Sequence, residues 1–426
     1  MTPISPAQPW RGLASAVTLK HLNFICWGLL LVGFVLPFSI LVVNSHRPPN
    51  GDFAYFYSLG RILDKYPAPY LYDSTLIQQV CAEVRGNQTG CGPSPYPPFV
   101  GLVFRPLGLL PYSAAYFLWL LATLALYAAG LKLLIDRFLP LDPMRRSLLF
   151  CFAFAYRPFL LDTAFNGQIS AVGFFASSLV LCEDDKRRSF AAGLALSLCT
   201  YKPTLLVLLL PMLLVTRRFK TLFGFLAGAS ALVLCTTAIE GFDVWPVFIG
   251  KIFSFASHPV GAQTDSGPNL FRLVDLSSFS HLVHGGRSWP ALVVLCGFGC
   301  SAFFFLFWMW VRSSRQSAPW NSLLCAATLT WTLLLNVFIG IYDSIVIVPS
   351  LVVTAGVLRH ISPGPIRRAF TILWMLTLAG SWFTVMLAMT TGVQLLTLLY
   401  AALGVLQFAA LWRLAASEPR SAHAAP

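Results

Sequence analysis

Charged residues are scarce in this chain. They make up 11% of its 426 residues, against roughly 25% in a soluble globular protein. Hydrophobic residues make up 57%, and the mean hydropathy is +0.72. Apolar stretches of about 15–22 residues recur along the whole length, and a helix needs about 20 residues to cross a bilayer. The composition therefore excludes a soluble globular protein and predicts an integral membrane protein.

Several common motifs are also missing. The chain has no Walker phosphate-binding loop, no glycine-rich dinucleotide fingerprint and no HExxH zinc motif. ATP-driven transport and zinc proteolysis therefore have no support from motifs. The few histidines are not spaced like metal ligands, so we expect neither a metal ion nor a cofactor.

Lysines and arginines outnumber acidic residues by 29 to 16, which gives a formal net charge of +13. Nearly all of this excess falls on one side of the predicted spans, as the positive-inside rule describes. We therefore attribute the charge to membrane topology and expect no nucleic-acid partner. The same distribution predicts that both termini are cytoplasmic.

The hydrophobic pattern predicts an all-α polytopic fold that forms a single domain over residues 1–426. About twelve transmembrane helices are expected, at about residues 22–43, 112–134, 147–161, 168–182, 189–201, 203–215, 221–239, 290–311, 320–341, 344–358, 369–390 and 392–412. Two outer segments are long, at about 44–111 and 240–289, whereas the inner connections are short and basic. Only the outer side therefore has enough chain to build a site.

Four central spans are shorter than a bilayer requires. Residues 147–161 and 168–182 supply about 15 residues each, and 189–201 and 203–215 about 13 each, which gives helices of roughly 20–22 Å. The turns between them must lie below the outer surface, and backbone at that depth must line a cavity. We therefore predict an outward-open cavity whose floor is formed by these turns.

Polar and ionisable side chains gather at these turns and at the outer end of the ninth span. They are Arg157, Asp162, Asn166, Gln168, Lys202, Tyr342 and Asp343. Such groups are costly at membrane depth and usually pair with one another or line a pathway. Two simpler interpretations stay open: Lys202 could snorkel to the interface, and Asp162 or Asp343 could serve only as a partner for a cation.

Asp52 lies at the start of the first long outer segment. It precedes an apolar pattern that includes Phe53 and Tyr57 and predicts an amphipathic helix reaching about Asp64. Asp52 is therefore either a carboxylate placed for chemistry at the membrane surface or an ordinary helix N-cap. Arg105, in the same segment, could bind a phosphate or could simply lie solvated at the interface.

Of the ten cysteines, only Cys81 and Cys91 lie in a loop, and that loop is predicted to be on the outer side. They could form a disulfide in an oxidising compartment. Two free thiols are the alternative.

Several short motifs occur in order along the chain. They are Gly51-Asp52-Phe53-Ala54-Tyr55-Phe56-Tyr57, Tyr70-Leu71-Tyr72-Asp73, Tyr96-Pro97-Pro98, Asn166-Gly167-Gln168, Lys202-Pro203 and Tyr342-Asp343. Taken together, from about residue 50 to 350, they resemble the polyprenol-phosphate-dependent mannosyltransferases of glycosyltransferase family 87, which are multi-span enzymes of the GT-C superfamily. Some members have a histidine late in the chain where this sequence has Tyr342-Asp343, which leaves a second catalytic group open.

The resemblance implies a GT-C-like fold and an inverting transfer of a hexose, most often mannose, from a polyprenyl-phosphate sugar to a glycolipid or glycan hydroxyl. It assigns Asp52 as the base that takes the proton of the acceptor hydroxyl. The candidates for stabilising the leaving lipid phosphate are Lys202, Arg105 and Arg157. The residues expected to contact the substrates are Tyr55, Tyr96, Asp162, Asn166, Gln168, Tyr342 and Asp343.

A transporter or flippase of lipid-linked sugars is the main alternative. Transporters usually contain paired repeats with matching broken helices, whereas the short spans of this chain cluster at 147–215 without a second copy. A non-catalytic scaffold would not need polar groups around a wet cavity. We therefore expect an enzyme of the bacterial inner membrane, surrounded by lipids, with its site facing the periplasm or the exterior.

Overall fold

The computed structural model describes residues 16–45, 51–86, 91, 96–182, 189–257, 270–284, 289–313, 316–362 and 364–417. Over these residues the chain is helical, apart from one isolated antiparallel bridge between Leu273 and Gly340. The α-helices are α1 (Ala16–Ser45), α2 (Phe53–Lys65), α3 (Ser74–Arg85), α4 (Pro98–Gly108), α5 (Tyr112–Phe138), α6 (Pro143–Phe154), α7 (Ser170–Leu181), α8 (Ser189–Ser197), α9 (Leu209–Val215), α10 (Phe219–Glu240), α11 (Val244–Ser257), α12 (Leu276–His284), α13 (Trp289–Arg312), α14 (Ala318–Leu334), α15 (Ile347–Leu358), α16 (Pro365–Thr391) and α17 (Leu395–Ser417).

Shorter helical turns connect several of these helices. They are the 3-10 turns Ala68–Tyr72, Leu198–Tyr201, Pro203–Leu206, Leu270–Arg272 and Asp343–Val346, and the π-helical turn Pro158–Phe165. Most of them lie where the sequence predicts breaks between short spans.

Six helices of the described residues are long and apolar enough to cross a membrane. Their spanning parts are Leu19–Leu36, Tyr112–Phe138, Phe219–Glu240, Val293–Arg312, Pro365–Thr391 and Leu395–Ala416. A seventh span results if α6 and the turn Pro158–Phe165, which meet at a bend of 60°, count as one. These helices are what a polytopic membrane protein requires, while the count of twelve and the GT-C-like fold remain predictions.

The shorter apolar helices lie close to the predicted short spans. They are Ser170–Leu181, Ser189–Tyr201, Pro203–Val215, Val244–Ser254 and Asp343–Leu358. Two boundaries differ from those expected from the sequence. The predicted span 147–161 breaks after Phe154, and Pro158 begins a new helical turn, where its missing N–H costs nothing.

The predicted span 320–341 also ends early, because α14 stops at Leu334. The side chain of Asn336 takes over the backbone groups that are freed there. Its amide nitrogen donates to the carbonyl oxygens of Thr332 (3.0 Å) and Thr204 (2.7 Å), and its amide oxygen accepts from the backbone N–H of Val337 (2.8 Å). An asparagine that bonds to nearby backbone in this way competes with helix continuation.

The amphipathic helix predicted after Asp52 is present as α2, but it is buried within the protein. Every residue from Phe53 to Leu63 is buried except Arg61, which is half-buried. Gly60 allows α4 to approach closely, since a Cβ at this position would collide with the backbone carbonyl of Phe104. The first outer segment is therefore a packed layer of helices rather than a single helix lying on lipid.

The second outer segment is joined to the backbone that precedes Tyr342. The N–H of Ile341 donates to the carbonyl of Arg272, and the N–H of Val274 donates to the carbonyl of Ile339, both at 2.9 Å. Because these two bonds run in opposite directions between two extended stretches, they fix the register of the pair. The side chain of Arg272 is therefore held near the predicted cavity.

Candidate active site

Two glycines bring the start of α2 against the turn that follows Pro158–Phe165. A Cβ on Gly51 would collide with Asn166, and a Cβ on Gly167 would collide with the side chain of Phe53. Gly167 also has φ +73, a conformation that suits glycine. The backbone N–H of Phe53 donates to the carbonyl of Asn166 at 2.9 Å. Two regions more than 100 residues apart in sequence therefore meet at Asp52.

Asp52 is held by two neutral side-chain amides. Its Oδ2 accepts from Nδ2 of Asn166 at 2.5 Å and from Nε2 of Gln168 at 2.6 Å. Although Asp52 occupies the N-cap position of α2, its side chain makes no capping hydrogen bond. The carboxylate therefore points to the 166–168 turn. The structure does not support the interpretation of Asp52 as only a helix N-cap.

Burial raises the pKa of the Asp52 carboxyl above its ordinary value. The hydrogen bond from Gln168 and the positive charges of Arg272 and Arg85 lower the pKa, and the charge of Asp162 raises it. Desolvation is the largest of these effects, so the net shift is upward. Asp52 remains half-buried rather than sealed, so part of the residue stays accessible.

Lys202 and Asp343 form a second, more deeply buried part of the site. The Lys202 ammonium pairs with Oδ2 of Asp343 and donates to the carbonyl of Phe338 at 3.2 Å. Ser170 donates to Oδ1 of the same carboxylate at 2.8 Å. The ammonium also lies 5.3 Å from the ring centroid of Tyr342, within cation–π range. Lys202 therefore does not snorkel away but is fixed inside the protein.

Asp162 lies between two arginines. Its Oδ1 accepts from Nη2 of Arg272 at 2.8 Å, and its Oδ2 is 3.5 Å from Nη1 of Arg157. These last two atoms are buried and have no hydrogen-bond partner. The Asp162 side chain is 2% exposed, whereas that of Arg272 is 44% exposed, so the guanidinium of Arg272 can still take up an anion.

Tyr96 connects the first outer segment to the other parts of the site. It is buried, and its ring packs 5.0 Å from that of Phe56 and 6.1 Å from that of Tyr55. Burial raises the pKa of Tyr96, and the nearby Tyr342, Asp343 and Asp52 raise it further. The predicted residues of three distant segments therefore lie within electrostatic range of one another.

Arg105 is the predicted site residue that the structure places in a different environment. Its Nη1 pairs with Oε1 of Glu240, at the end of α10, at 3.0 Å. The Glu240 side chain is only 6% exposed, so one face of the guanidinium is already engaged. A role for Arg105 in phosphate binding stays a prediction.

Arg272 is a site residue that sequence analysis missed. Nothing in its local sequence distinguishes it, because it follows Asn269-Leu270-Phe271 in a long outer segment without a motif. The signal in the sequence was indirect. A buried aspartate such as Asp162 needs close positive charge to offset its desolvation, and Arg157 was the single arginine near it among the predicted residues.

The backbone around Arg272 is fixed from several sides. Asp275, which is fully buried, accepts from the N–H of Ile339 at 3.0 Å and from both the N–H and the hydroxyl of Ser278. From the end of the chain, Gln394 donates to the carbonyl of Phe271 at 2.7 Å, and Thr397 donates to that of Val274 at 2.9 Å. Helix α17 and the loop before it therefore hold this segment in place.

Cys81 and Cys91 are joined as a disulfide in the structure, with their Cα atoms 5.8 Å apart. The bond closes the end of α3, the helix that ends at Arg85.

No group of three or more His, Cys, Asp or Glu side chains that could hold a metal ion occurs among the described residues. The chemistry available from the site is that of one reachable carboxylate with neutral partners, next to three cations. Such a set can remove a proton from a hydroxyl and stabilise an anionic group a short distance away.

A protein-family model described as glycosyltransferase family 87 matches residues 95–336. No curated protein and no solved structure matches the chain. The matched residues include Tyr96, the 166–168 turn, Lys202 and Arg272. Tyr342-Asp343 lies just after the match, and Asp52 lies well before its start.

Proposed function

This chain belongs to glycosyltransferase family 87, and we propose that it transfers a hexose, with mannose as the first candidate, from a polyprenyl-phosphate sugar to a hydroxyl of a lipid or glycan acceptor. The family and the apolar helices together indicate a membrane glycosyltransferase. The family match favours this function over that of a transporter or flippase.

One observation carries the proposed mechanism. Asp52 is half-buried, and among the described residues its carboxylate accepts hydrogen bonds from the neutral amides of Asn166 and Gln168. Since no cation fixes its negative charge by direct contact in these hydrogen bonds, it can accept a proton during the reaction. A raised pKa also makes it a stronger base than an exposed aspartate. We assign Asp52 as the base that activates the acceptor hydroxyl.

The leaving phosphate of the donor requires cations at some distance from this base. We assign this role to Arg157, Arg272 and Lys202, each of which is anchored by a buried carboxylate. The anchoring fixes the position of each cation before the substrate binds, so little reorganisation is needed as negative charge develops. We prefer Arg272 to Arg105 because the partner of Arg272 is Asp162, a candidate site residue, whereas Arg105 is held by Glu240 at the end of α10.

The geometry also supports inversion at the anomeric carbon. A single displacement requires the attacking oxygen and the leaving phosphate on opposite faces of the sugar. Asp52 binds neutral amides at one part of the site, whereas the anchored cations are grouped around Asp162 and Asp343. A sugar lying between the two groups would be attacked from one side and released on the other.

The remaining predicted residues are assigned to substrate contacts. The amide oxygen of Gln168 is buried without a hydrogen-bond partner, so it can accept from a sugar hydroxyl. Tyr55 and Tyr96 form an aromatic wall beside Asp52, which suits the apolar face of a hexose. We assign Tyr342 to the same role because its ring faces Lys202 and it lies within electrostatic range of Tyr96.

The experiment that tests the function uses the purified protein in detergent with a panel of polyprenyl-phosphate sugars. Mass spectrometry would detect transfer to water or to added glycolipid acceptors. The expected result is turnover of one donor class by the wild-type protein and none by Asp52→Asn. If every donor remains intact while the protein is folded, or if a nucleotide sugar is used instead, the proposed donor is wrong.

We also propose that the site faces the periplasm or the exterior. Ala54, close to Asp52, is fully buried, whereas Lys65 at the end of α2 is exposed. A cysteine introduced at Lys65 should react with an impermeant thiol reagent in intact cells. A cysteine at the exposed Arg368, at the other end of the bundle, is the matched control and should react only after the cells are opened. The reverse pattern would refute the orientation.

A further inference from the structure

Five arginines collect at the end of the helical bundle away from the candidate active site. Arg145 and Arg146 lie in the first turn of α6, Arg359 is the C-cap of α15, and Arg367 and Arg368 lie in the first turn of α16. Helix α15 has 12 residues and starts beside the site, so its far end is about 18 Å away at 1.5 Å per residue. The positive-inside rule assigns this end to the cytoplasmic side.

The two arginines of α6 have acidic partners. Nε of Arg145 is 3.2 Å from Oδ2 of Asp142, and Nη1 of Arg146 is 2.6 Å from Oδ1 of Asp136. In the described part of the chain, Arg359, Arg367 and Arg368 form no ion pair. Positive charge at this end is therefore in excess.

An apolar groove, part of it open to the surroundings, runs between α5, α6, α15 and α16. Its walls include Leu149 of α6, Val352 of α15 and Trp374 of α16. Tyr156 lines it as well, and the hydroxyl of Tyr156 is bonded to that of Tyr400. The groove thus lies within the same helices that carry the arginines.

Helical spacing places three of the arginines on the faces that line the groove. Arg145 precedes Leu149 by four residues, Arg359 follows Val352 by seven, and Arg367 precedes Trp374 by seven. Residues four or seven apart lie on one face of an α-helix. Arg368 is one residue away from this register, which turns it about 100° from the groove. Arg146 precedes the groove residue Ala153 by seven but is already held by Asp136.

The same three arginines are close enough to act on one another. Partial burial and the positive charges of Arg367 and Arg145 hold the pKa of Arg359 below its ordinary value. Helices α6 and α16 also begin at this end, and helix N-termini carry partial positive charge. Like charges gathered in this way are unfavourable unless an anion lies between them.

We propose that the groove binds one anionic phospholipid, with its phosphate at Arg145, Arg359 and Arg367 and an acyl chain along the apolar wall. The arginines suit a lipid headgroup whose phosphate is not neutralised by an amine in the same headgroup. The apolar wall of the groove suits a hydrocarbon chain. The polyprenyl tail of a donor could lie along the wall, but we place the phosphate of that donor in the candidate active site. Such a donor has no second anionic group for the arginines at this end. An inorganic phosphate fits the arginines but leaves the wall empty.

The test is native mass spectrometry of delipidated protein titrated with phosphatidylglycerol or with phosphatidylethanolamine of the same acyl chains. We expect wild-type protein to bind phosphatidylglycerol at least tenfold more tightly. The double variant Arg359→Gln/Arg367→Gln should lose this preference, since each arginine near a lipid surface contributes about tenfold or less. Arg368→Gln is the matched control and should keep the preference. Melting temperatures would show that the variants are folded.

Two further arms identify the occupant. Leu149→Trp narrows the groove and should weaken binding of phosphatidylglycerol while leaving the arginines intact. The proposal is overturned by equal affinity for the two phospholipids, or by a preference that survives the double variant. It is also overturned if excess inorganic phosphate displaces the lipid completely, or if Leu149→Trp weakens binding of polyprenyl phosphate but not of phosphatidylglycerol. None of these results depends on transferase activity, so failure of the proposed function leaves this test intact.

Discussion

Asp52 and Asp343 both point into the same site, but their partners differ in kind. Asp343 is 0% exposed and is bound by the ammonium of Lys202 and the hydroxyl of Ser170. Asp52 is half-buried and is bound by two amide groups that carry no charge. In a buried pair such as Asp343 and Lys202, removing one charge leaves the other without a counter-charge.

This difference distinguishes a carboxylate that positions a cation from a carboxylate that can act as a base. Asp343 positions Lys202 and so helps to hold the cation at a defined place, whereas Asp52 keeps the freedom to gain and lose a proton. Asp162 resembles Asp343, since it too is buried beside cations, Arg272 and Arg157. Four experiments can break or sharpen this contrast.

The largest effect is expected for Asp52→Asn. The amide keeps the size of the side chain but cannot act as the base, so transfer should fall at least about 100-fold. The melting temperature should stay close to that of the wild type, because no ion pair is lost. Activity would be measured with the donor identified by the panel experiment. Retention of more than a tenth of the wild-type rate would remove Asp52 from the mechanism.

Asp343→Asn should instead act on stability. It leaves the Lys202 ammonium buried without a counter-charge, a change that typically costs about 3–5 kcal/mol. The melting temperature in detergent should therefore fall clearly. The double variant Lys202→Met/Asp343→Asn removes the unpaired charge and should recover much of the loss. An Asp343→Asn protein as stable as the wild type would contradict the ion-pair role.

The cations can be compared through Arg272→Gln and Arg105→Gln. Loss of a charge-assisted hydrogen bond to the donor phosphate should raise the donor KM about tenfold for Arg272→Gln. Arg105→Gln, which breaks the pair with Glu240, should change it less than about twofold. Steady-state kinetics with each substrate varied in turn would measure both. If the two variants behave alike, or if the acceptor KM changes instead, Arg272 is not a phosphate ligand.

The smallest effect concerns the pH dependence of activity. The base must be deprotonated, so the rate falls as pH drops through the raised pKa of Asp52. The hydrogen bond from Gln168 lowers that pKa, so Gln168→Leu should raise it further and shift the acid limb of kcat/KM to higher pH by about 0.5–1 unit. Gln79→Leu, at an exposed site on α3, is the control. A shift to lower pH would contradict the assignment of this limb to Asp52.

Much of the helical arrangement could be predicted from the sequence, because hydrophobic runs and their flanking charges are local properties. The short helices Ser170–Leu181, Ser189–Tyr201 and Pro203–Val215 lie close to the bounds predicted from length and charge alone. The early end of α14 was not predicted, because it depends on the side chain of Asn336 finding the carbonyl of Thr204.

The grouping of the candidate site residues could be predicted in part. Asp52, the 166–168 turn, Lys202 and Tyr342-Asp343 belong to short motifs that are informative as an ordered set, and the structure brings these residues together. Arg272 belongs to no motif and gains its place from bonds to Asp162 and to the backbone near Ile341. The final helix also carries no motif, yet Thr397 helps to hold the segment of Arg272.

The sequence by itself determines that this chain lies in a membrane, where most of its helices run and which short motifs it carries. All three follow from the cost of placing charge in hydrocarbon and from patterns within a few dozen residues. Only the tertiary structure decides that Asp52 meets uncharged amides while Asp162 and Asp343 meet cations. The partners of Asp52 and Asp343 lie more than 100 residues away from them along the chain. Separation along the chain does not indicate which charges become neighbours once the helices have packed.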